Sequence, residues 1–170
     1  MSMENLEIEK KFVSKKIKSN ITKKISKLDI EPKKILIMGL PGTGKTTLAK
    51  KLLKYLPIVH LNADEIREHF NDWDFTNKGR LRQAERMKRL SDFIVSQKIF
   101  AVTDFVCPLI ETREIVKPDI IIWMNTEKKG RYEDTNKVFQ PPKKFHFKIN
   151  EKNAEHWAKL ISERIIKNEY

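Results

Sequence analysis

Short apolar runs and longer amphipathic stretches alternate along this chain. Five segments have the length and apolar content typical of β-strands, the last of them with period-two alternation: residues 35–38, 58–61, 99–103, 119–124 and 145–149. Apolar residues at helical spacing follow the first strand, and they recur over residues 78–97 and again from residue 153. Strands that alternate with helices predict a three-layer α/β fold, in which helices flank a mostly parallel sheet.

Two regions fall outside this alternation. In residues 1–31, apolar residues three to four positions apart among lysines predict a basic amphipathic helix ahead of a domain that covers residues 32–170. That helix could pack on the domain or on a partner subunit; a membrane-surface helix and a nucleic-acid-binding arm are the alternatives. Residues 125–142 are polar and have no clear period, which predicts a mobile lid.

The composition argues against several protein classes. No apolar run approaches the roughly 20 residues of a membrane span, and the polar first residues lead us to expect no secretion signal. The single cysteine, Cys107, excludes an internal disulfide framework and favours a cytoplasmic location. The net charge of +12 comes from 35 lysines and arginines against 23 aspartates and glutamates. Because the lysines are scattered, this charge suits an enzyme that binds polyanionic nucleotides better than a nucleic-acid-binding protein.

The most specific motif lies between the first strand and the helix that follows it. Residues 39–46 match G-x-x-x-x-G-K-[ST], a phosphate loop whose glycines let backbone N–H groups surround a polyphosphate at a helix N-terminus. Lys45 would reach the β- and γ-phosphates, and the Thr46 hydroxyl would ligate Mg²⁺. The motif therefore predicts binding of ATP with Mg²⁺. The predicted ATP-binding residues are consecutive: Gly39, Leu40, Pro41, Gly42, Thr43, Gly44, Lys45, Thr46 and Thr47.

Carboxylates follow two of the predicted strands. Asp64 comes just after the second strand, with Arg67 three residues later on the same side of a helix start. Asp64 could orient an attacking hydroxyl as a catalytic base, or it could be a helix N-cap with an intrahelical ion pair. Asp104 follows the third strand, as a Walker-B carboxylate would, and could hold Mg²⁺ through water or be a polar residue at a strand end.

Other reactive side chains give weaker signals. His60 and His69 have no partners at metal-ligand spacing, so we expect them to be structural or exposed. Nothing beside Cys107 in the sequence looks like an activating base, which argues against covalent catalysis.

Taken in order, these segments resemble the adenylylsulfate kinase (APS kinase) family. That family pairs G-L-x-G-[ST]-G-K-[ST]-T with L-D-G-D-x-x-R, and it continues with F-S-x-x-D-R-x-E-N-I-R-R, S-P-Y and a K-G-L-Y lid. The matching segments here are residues 39–47, 61–67, 75–80, 107–109 and 129–132. The ordered set is more specific than the phosphate loop alone, which many ATPases share.

The resemblance implies a phosphate-loop kinase in which Lys45 and Asp64 are catalytic and Asp64 acts as base on a nucleotide 3′-hydroxyl. It also implies that an aromatic ring stacks on the substrate base, that two arginines bind the phosphate or sulfate end, and that a lid lysine approaches the phosphates. The stacking residue would be Phe75, the two arginines would be Arg67 and Arg80, and the lid lysine would be Lys129.

The same resemblance adds Gln83 and Val106 to the implied substrate-binding residues. Plainer interpretations remain for the implied roles. The aromatic residue could belong to the core, and the three basic residues could be solvated surface charges.

The sequence departs from the family pattern mainly on the substrate side. Asn62 and Ala63 replace the aspartate and glycine ahead of Asp64, and Arg82 and Gln83 replace the Glu-Asn of the arginine segment. A polar pocket discriminates strongly when its hydrogen-bonding groups change, so the acceptor need not be adenylylsulfate. A divergent branch of the family phosphorylates cytidine diphosphoramidate on its ribose 3′-hydroxyl, in phosphoramidate decoration of bacterial capsules. This sequence resembles that branch, and we favour the cytidine compound over adenylylsulfate.

Two other functions stay open. A nucleic-acid-binding ATPase or polynucleotide-end kinase would use the basic residues of the N-terminal helix and would bind oligonucleotides with a steep salt dependence. A shikimate- or gluconate-type kinase would share the phosphate loop but would leave the pattern from Phe75 to Arg80 unexplained. The resemblance and the apolar face of the N-terminal helix also favour a homodimer.

Overall fold

The computed structural model describes residues 30–170, so the predicted N-terminal helix lies outside the described residues. The strands are Lys34–Met38 (β1), Ile58–Asn62 (β2), Phe100–Asp104 (β3), Ile120–Met124 (β4) and Phe147–Ile149 (β5). They form one sheet in the order β2-β3-β1-β4-β5, and every pairing in it is parallel. The predicted α/β sheet is confirmed, and each strand expected from the apolar pattern is present within a few residues of its predicted bounds.

The burial of each strand follows its place in the sheet. β3 is buried along its whole length, and β1 is buried at all but its first residue, because helices cover both faces of the sheet centre. β2 lies at one edge, and its burial is interrupted at Val59 and His60. The central strands therefore appear in the sequence as continuous apolar runs, as expected for a parallel sheet.

The helices of the described residues are Lys45–Leu52 (α1), Ala63–His69 (α2), Asn77–Ser96 (α3), Ile110–Val116 (α4), Glu133–Val138 (α5) and Ala154–Lys167 (α6). Helix α1 packs against α6, and α3 packs against α4. Glu155 in α6 pairs with Lys51 and Lys54 and accepts a hydrogen bond from the Tyr55 hydroxyl, which holds the first pair together. None of the described helices has the length and apolar character that crossing a bilayer requires.

Two of these helices were not predicted. Helix α4 has no sustained apolar period, and it begins after Pro108 without a side-chain cap. Helix α5 lies inside the segment predicted as an irregular lid. Both are short, so too few apolar positions repeat in either to reveal a helical period.

Two apolar residues at helical spacing lie on the surface. Leu53 is 48 % exposed because it caps α1 after the last helical turn, and Phe93 is 65 % exposed on the outer side of α3. The buried face of α3 instead uses small or flexible residues, among them Ala84, Met87 and Ser91. Apolar spacing located both helices, while the neighbouring elements determined which residues each helix buries.

Gly79 lies in the first turn of α3, where the helix presses on the preceding loop. A Cβ built at Gly79 would lie 2.2 Å from the Asp74 carbonyl oxygen and 2.4 Å from Asp74 Cγ. Helix propensity alone favours alanine over glycine by about 1 kcal/mol, but this overlap with a backbone atom reverses the sign. We expect Gly79→Ala to lower the free energy of unfolding by roughly 1–3 kcal/mol, as measured by urea denaturation.

Lys78→Ala is the matched control for this variant, because Lys78 is exposed in the same helical turn. We expect its effect on the free energy of unfolding to stay within about 0.5 kcal/mol. If Gly79→Ala proved as stable as the parent protein, the close packing of α3 on Asp74 would be wrong.

Candidate active site

A cavity of about 720 Å³ opens beside the phosphate loop. Residues that follow β1, β2 and β3 line it, together with side chains from residues 73–83 and 131–135. In open parallel sheets this carboxyl edge is where ligands bind. The cavity is therefore the candidate active site.

Two backbone positions in the phosphate loop require glycine. Gly39 has a φ of 149°, and a Cβ there would lie 2.3 Å from the Met124 carbonyl oxygen. Gly44 is the N-cap of α1 and lies in the left-handed region with a φ of 91°. The loop thus leads directly into a helix N-terminus, where the helix dipole and unpaired N–H groups favour a phosphate.

Lys45 lines the cavity and is held by the loop itself. Its Nζ donates a hydrogen bond of 3.1 Å to the Leu40 carbonyl oxygen. Burial lowers the pKa of Lys45, and the neighbouring carboxylates of Asp104 and Asp64 partly offset that effect. A largely desolvated ammonium that donates to a neutral carbonyl is a site for an anion, since a phosphate oxygen makes a stronger charge-assisted bond.

Asn62, the last residue of β2, connects three parts of the site. Its Oδ1 accepts hydrogen bonds from the backbone N–H groups of Asp64 and Glu65, which makes Asn62 the N-cap of α2. Its Nδ2 donates to Thr46 Oγ1 at 3.3 Å and to Asp104 Oδ2 at 3.0 Å. One amide thus joins the phosphate-loop helix, the end of β3 and the start of α2.

Thr46 and Asp104 supply the type of oxygen ligands that Mg²⁺ prefers. Both line the cavity, and the hydrogen bonds from Asn62 Nδ2 bring the hydroxyl and the carboxylate close together. Asp104 is 2 % exposed, and its Oδ2 also lies 3.2 Å from His60 Nε2. These residues fit a magnesium ion that is held by the Thr46 hydroxyl and has the Asp104 carboxylate nearby. The described residues contain no cluster of three or more histidine, cysteine or acidic side chains of the type that holds a metal without help from substrate.

Asp64 lies in the first turn of α2 with its side chain exposed to the cavity. The cap of that helix is Asn62, so capping does not account for the aspartate. Its charge acts on the ammonium of Lys45 and on the guanidinium of Arg67. The carboxylate therefore acts electrostatically on both the phosphate-loop lysine and an arginine of the opposite part of the cavity.

An aromatic ring and two buried arginines form the opposite part of the cavity. Phe75 is 47 % exposed, with the guanidinium carbon of Arg67 4.7 Å and that of Arg80 6.0 Å from its ring centroid. Arg67 is 4 % exposed and donates to the carbonyl oxygens of Asp72 and Asp74, while Arg80 donates to the carbonyl oxygen of Phe75. Both arginines thus shape the loop that presents the Phe75 ring, in addition to lining the cavity. The exposed ring shows that Phe75 is not a core aromatic.

Gln83 and Val106 also line this part of the cavity. Gln83 is buried, and its Nε2 donates to the carbonyl oxygen of Ala63 at 3.0 Å while its Oε1 accepts from Arg86. With both ends of its amide engaged, Gln83 links α3 to the start of α2.

The 125–142 segment lies over the phosphate loop. The Thr126 hydroxyl donates to the carbonyl oxygen of Thr43 at 2.9 Å, and a Cβ at Gly130 would lie 2.8 Å from Pro41 Cδ. Across the cavity, Asp134 in α5 lies 3.6 Å from the Arg80 guanidinium. The segment therefore contacts both the phosphate loop and the part of the cavity that contains Arg80.

One residue implied for the lid is not brought to the cavity. Lys129 is exposed and does not line it, whereas Arg131 and Tyr132 do. Gly130, held by two hydrogen bonds with Asn136, turns the chain so that the residues after it face inward. The sequence matched this lid segment to the family motif, but the motif did not reveal which of its cations enters the cavity.

Cys107, His60 and His69 were the weaker candidates in the sequence. Cys107 is fully buried, and desolvation raises its pKa to about 12, so its thiolate is scarce at neutral pH. His60 is a partner of Asp104, and His69 is exposed at the end of α2.

Sequence reasoning missed several residues that line the cavity; besides Arg131 and Tyr132, two of them are Trp73 and Asn62. Trp73 is 52 % exposed, and its ring centroid lies 6.3 Å from that of Phe75. The two rings therefore form one aromatic surface along the cavity. Asn62 was noted only as a departure from the family motif. For Trp73, the available signal was an aromatic residue two positions before the motif phenylalanine Phe75. For Asn62, the signal was a polar residue at the end of an apolar strand.

The chain is similar to known proteins in both sequence and fold. Residues 35–107, less than half of the chain, match a family model described as an AAA domain. Over 73 residues the chain is 30 % identical to the cytidine diphosphoramidate kinase of Campylobacter jejuni, an alignment that covers 40 % of this chain and 43 % of that protein. The chain thus matches less than half the length of this curated relative.

Among solved structures, the APS kinase of Mycobacterium tuberculosis in complex with AMPPNP and APS superposes with a TM-score of 0.69. It covers 81 % of this chain and 99 % of that chain at 15 % identity. The fold is that of the phosphate-loop kinases. A shikimate kinase from Acinetobacter baumannii has a lower TM-score of 0.54, at 20 % identity and with 81 % and 94 % of the two chains covered. The predicted resemblance to APS kinases and to their cytidine diphosphoramidate branch is confirmed.

Proposed function

We propose that this protein is an ATP-dependent kinase that transfers the γ-phosphoryl group to the ribose 3′-hydroxyl of a small nucleotide. The observation that carries the proposal is that one cavity is lined by the phosphate-loop Lys45, by Asp64, and by the Phe75 ring with its two arginines. A phosphoryl donor and a nucleotide acceptor can then meet with the carboxylate beside the attacking hydroxyl. Such an arrangement supplies positioning and charge stabilisation, which account for most catalysis in phosphoryl transfer.

In the proposed mechanism the N-terminus of α1 and Lys45 bind the phosphates of ATP. Lys45 exchanges the Leu40 carbonyl for phosphate oxygens and stabilises the negative charge that develops during transfer. Asp64 accepts a hydrogen bond from the acceptor hydroxyl and takes its proton as the new O–P bond forms. The bond between the γ-phosphorus and the β–γ bridging oxygen of ATP breaks in the same transfer, and ADP leaves. Arg131 replaces Lys129 as the proposed lid cation, because it lines the cavity.

The proposed cofactor is Mg²⁺, held by the Thr46 hydroxyl with Asp104 behind it. When bound, the ion neutralises phosphate charge and orients the phosphoryl group for in-line attack. Asn62 and His60 fix the Asp104 carboxylate that would receive the ion's water shell.

For the acceptor, we propose cytidine 5′-diphosphoramidate, which would place the protein in capsular phosphoramidate synthesis. The curated relative that is 30 % identical over 73 residues is named as a cytidine diphosphoramidate kinase. Phe75 and Trp73 offer a surface on which a base can stack, and Arg67 and Arg80 give that end of the cavity a positive charge. Adenylylsulfate is the second candidate, since an APS kinase has the highest structural similarity among the neighbours described above.

The test presents cytidine diphosphoramidate and adenylylsulfate in parallel, with ATP and Mg²⁺, and follows ADP release together with product mass. We expect turnover of the cytidine compound with a mass gain of one phosphoryl group, and its 3′-position can be assigned by phosphorus–proton NMR coupling. Turnover of adenylylsulfate alone would replace the proposed acceptor. ADP release that depends only on added oligonucleotide would overturn the small-nucleotide proposal in favour of a polynucleotide kinase.

A further inference from the structure

We propose that Asn62 is a positioning residue that couples the helix carrying Asp64 to the magnesium side of the site. In this arrangement Asn62 is the uncharged member of a carboxylate–amide pair with Asp104 on the neighbouring strand. The inference deepens the proposed function and rests on it for the role of Asp64 and Mg²⁺.

The hydrogen bonds of Asn62 require both halves of an amide. Its Oδ1 accepts from the N–H groups of Asp64 and Glu65 at 3.0 and 3.2 Å, while its Nδ2 donates to Thr46 Oγ1 and to Asp104 Oδ2. Serine or aspartate at this position could cap α2, but a carboxylate has no proton to donate to another carboxylate. Asn62 therefore does more than end a helix, because it links the loop that carries the proposed base to the oxygens that would hold the metal.

The pairing of the strands explains why the two positions are coupled. Asn62 and Asp104 are direct partners in the register between β2 and β3, at the carboxyl end of both strands. Asp104 is 2 % exposed, so a second carboxylate 3.0 Å away would face it in a desolvated site, where like charges repel strongly. Without a bound cation, charges at both positions would carry that penalty.

In the APS kinase motif, the position that corresponds to Asn62 carries a charged residue. APS kinases read L-D-G-D where this chain reads Leu61-Asn62-Ala63-Asp64, so their aspartate stands at the position of Asn62. Here the amide occupies that position, and the carboxylate lies across the ladder on β3. In this chain the charged residue of the pair is Asp104.

The experiment compares four variants of the full-length protein: Asn62→Ser, Asn62→Asp, Asp104→Asn and the exchange Asn62→Asp/Asp104→Asn. The readouts are the melting temperature and the affinity for a fluorescent ATP analogue, measured with Mg²⁺ and with EDTA. Neither readout needs the acceptor, so a failure of this inference is distinguishable from a failure of the proposed nucleotide substrate. Where turnover is available, kcat and the KM for MgATP are added.

Asn62→Ser separates capping from positioning, because serine keeps the acceptor for the α2 N–H groups and loses the amide donor. We expect the magnesium-dependent part of ATP affinity to fall about tenfold, with little change in EDTA and a small change in melting temperature. Unchanged magnesium dependence in this folded variant would reduce Asn62 to a helix cap and overturn the proposal.

The exchange variant tests the shared charge. We expect Asn62→Asp and Asp104→Asn each to weaken magnesium-dependent ATP binding by about tenfold, and the double variant to return to within about threefold of the parent protein. If the loss of ATP affinity in the double variant equalled the product of the two single losses, the two positions would act independently. That result would contradict the carboxylate–amide pair.

Discussion

Replacing Lys45 with alanine should lower kcat by at least two to three orders of magnitude and weaken ATP binding. The ammonium is the largely desolvated cation beside the phosphate loop, and a positioned charge in such a site contributes about 10²–10³ to the rate. Its bond to the Leu40 carbonyl places it at the loop before any phosphate arrives. Steady-state kinetics and titration with a fluorescent ATP analogue measure the two effects separately.

Lys50→Ala is the matched control for this experiment. Lys50 is exposed on α1, five residues after Lys45, so the control makes the same substitution in the same helix and leaves the cavity untouched. We expect its kcat and ATP affinity to equal those of the parent protein. If Lys45→Ala kept more than a tenth of the parent kcat, Lys45 would not be the transition-state cation.

Replacing Asp64 with asparagine should lower kcat by about 10²–10⁴ while the affinity for ATP stays within a few-fold of the parent value. The change keeps the size of the side chain and the Asn62 cap of α2, but it removes the group that would accept the proton of the attacking hydroxyl. Because the carboxylate belongs to the acceptor side of the reaction, the loss should appear in kcat. Equal losses of ATP affinity in the Asp64 and Lys45 variants would contradict the roles assigned to them.

Glu65→Gln provides the control for Asp64→Asn. Glu65 is the adjacent carboxylate in the first turn of α2, and it does not line the cavity. The two variants remove the same charge from the same helix start, so a general electrostatic effect on α2 would lower both rates alike. We expect full activity for Glu65→Gln, and a comparable loss in both variants would assign the effect to the helix rather than to a base.

Much of the fold could be predicted from the sequence because its signals are local. The apolar runs of β1, β3 and β4 mark strands buried on both faces, and the phosphate loop marks the junction of β1 with α1. A glycine with positive φ and a lysine at a helix N-terminus follow from the backbone chemistry of that loop alone. The order of the remaining motifs then indicated the acceptor side before any tertiary contact was known.

Short elements and solvent-exposed faces could not be predicted in the same way. Helices α4 and α5 are too short to show a period, and Phe93 is apolar at a position that no other element covers. Whether an apolar residue on a helix is buried depends on what packs against it, which is a property of the assembled chain.

The amino-acid sequence was sufficient to predict the sheet, the phosphate loop and many of the residues that line the cavity. The contacts of these residues, and some of their identities, became clear from the folded chain. In it Arg67 donates to the carbonyls of Asp72 and Asp74, Arg131 rather than Lys129 lines the cavity, and Asn62 pairs with Asp104 across two strands. This division arises because a motif specifies residue types at short range, whereas hydrogen-bond partners and buried charges depend on atoms that the folded sheet brings together.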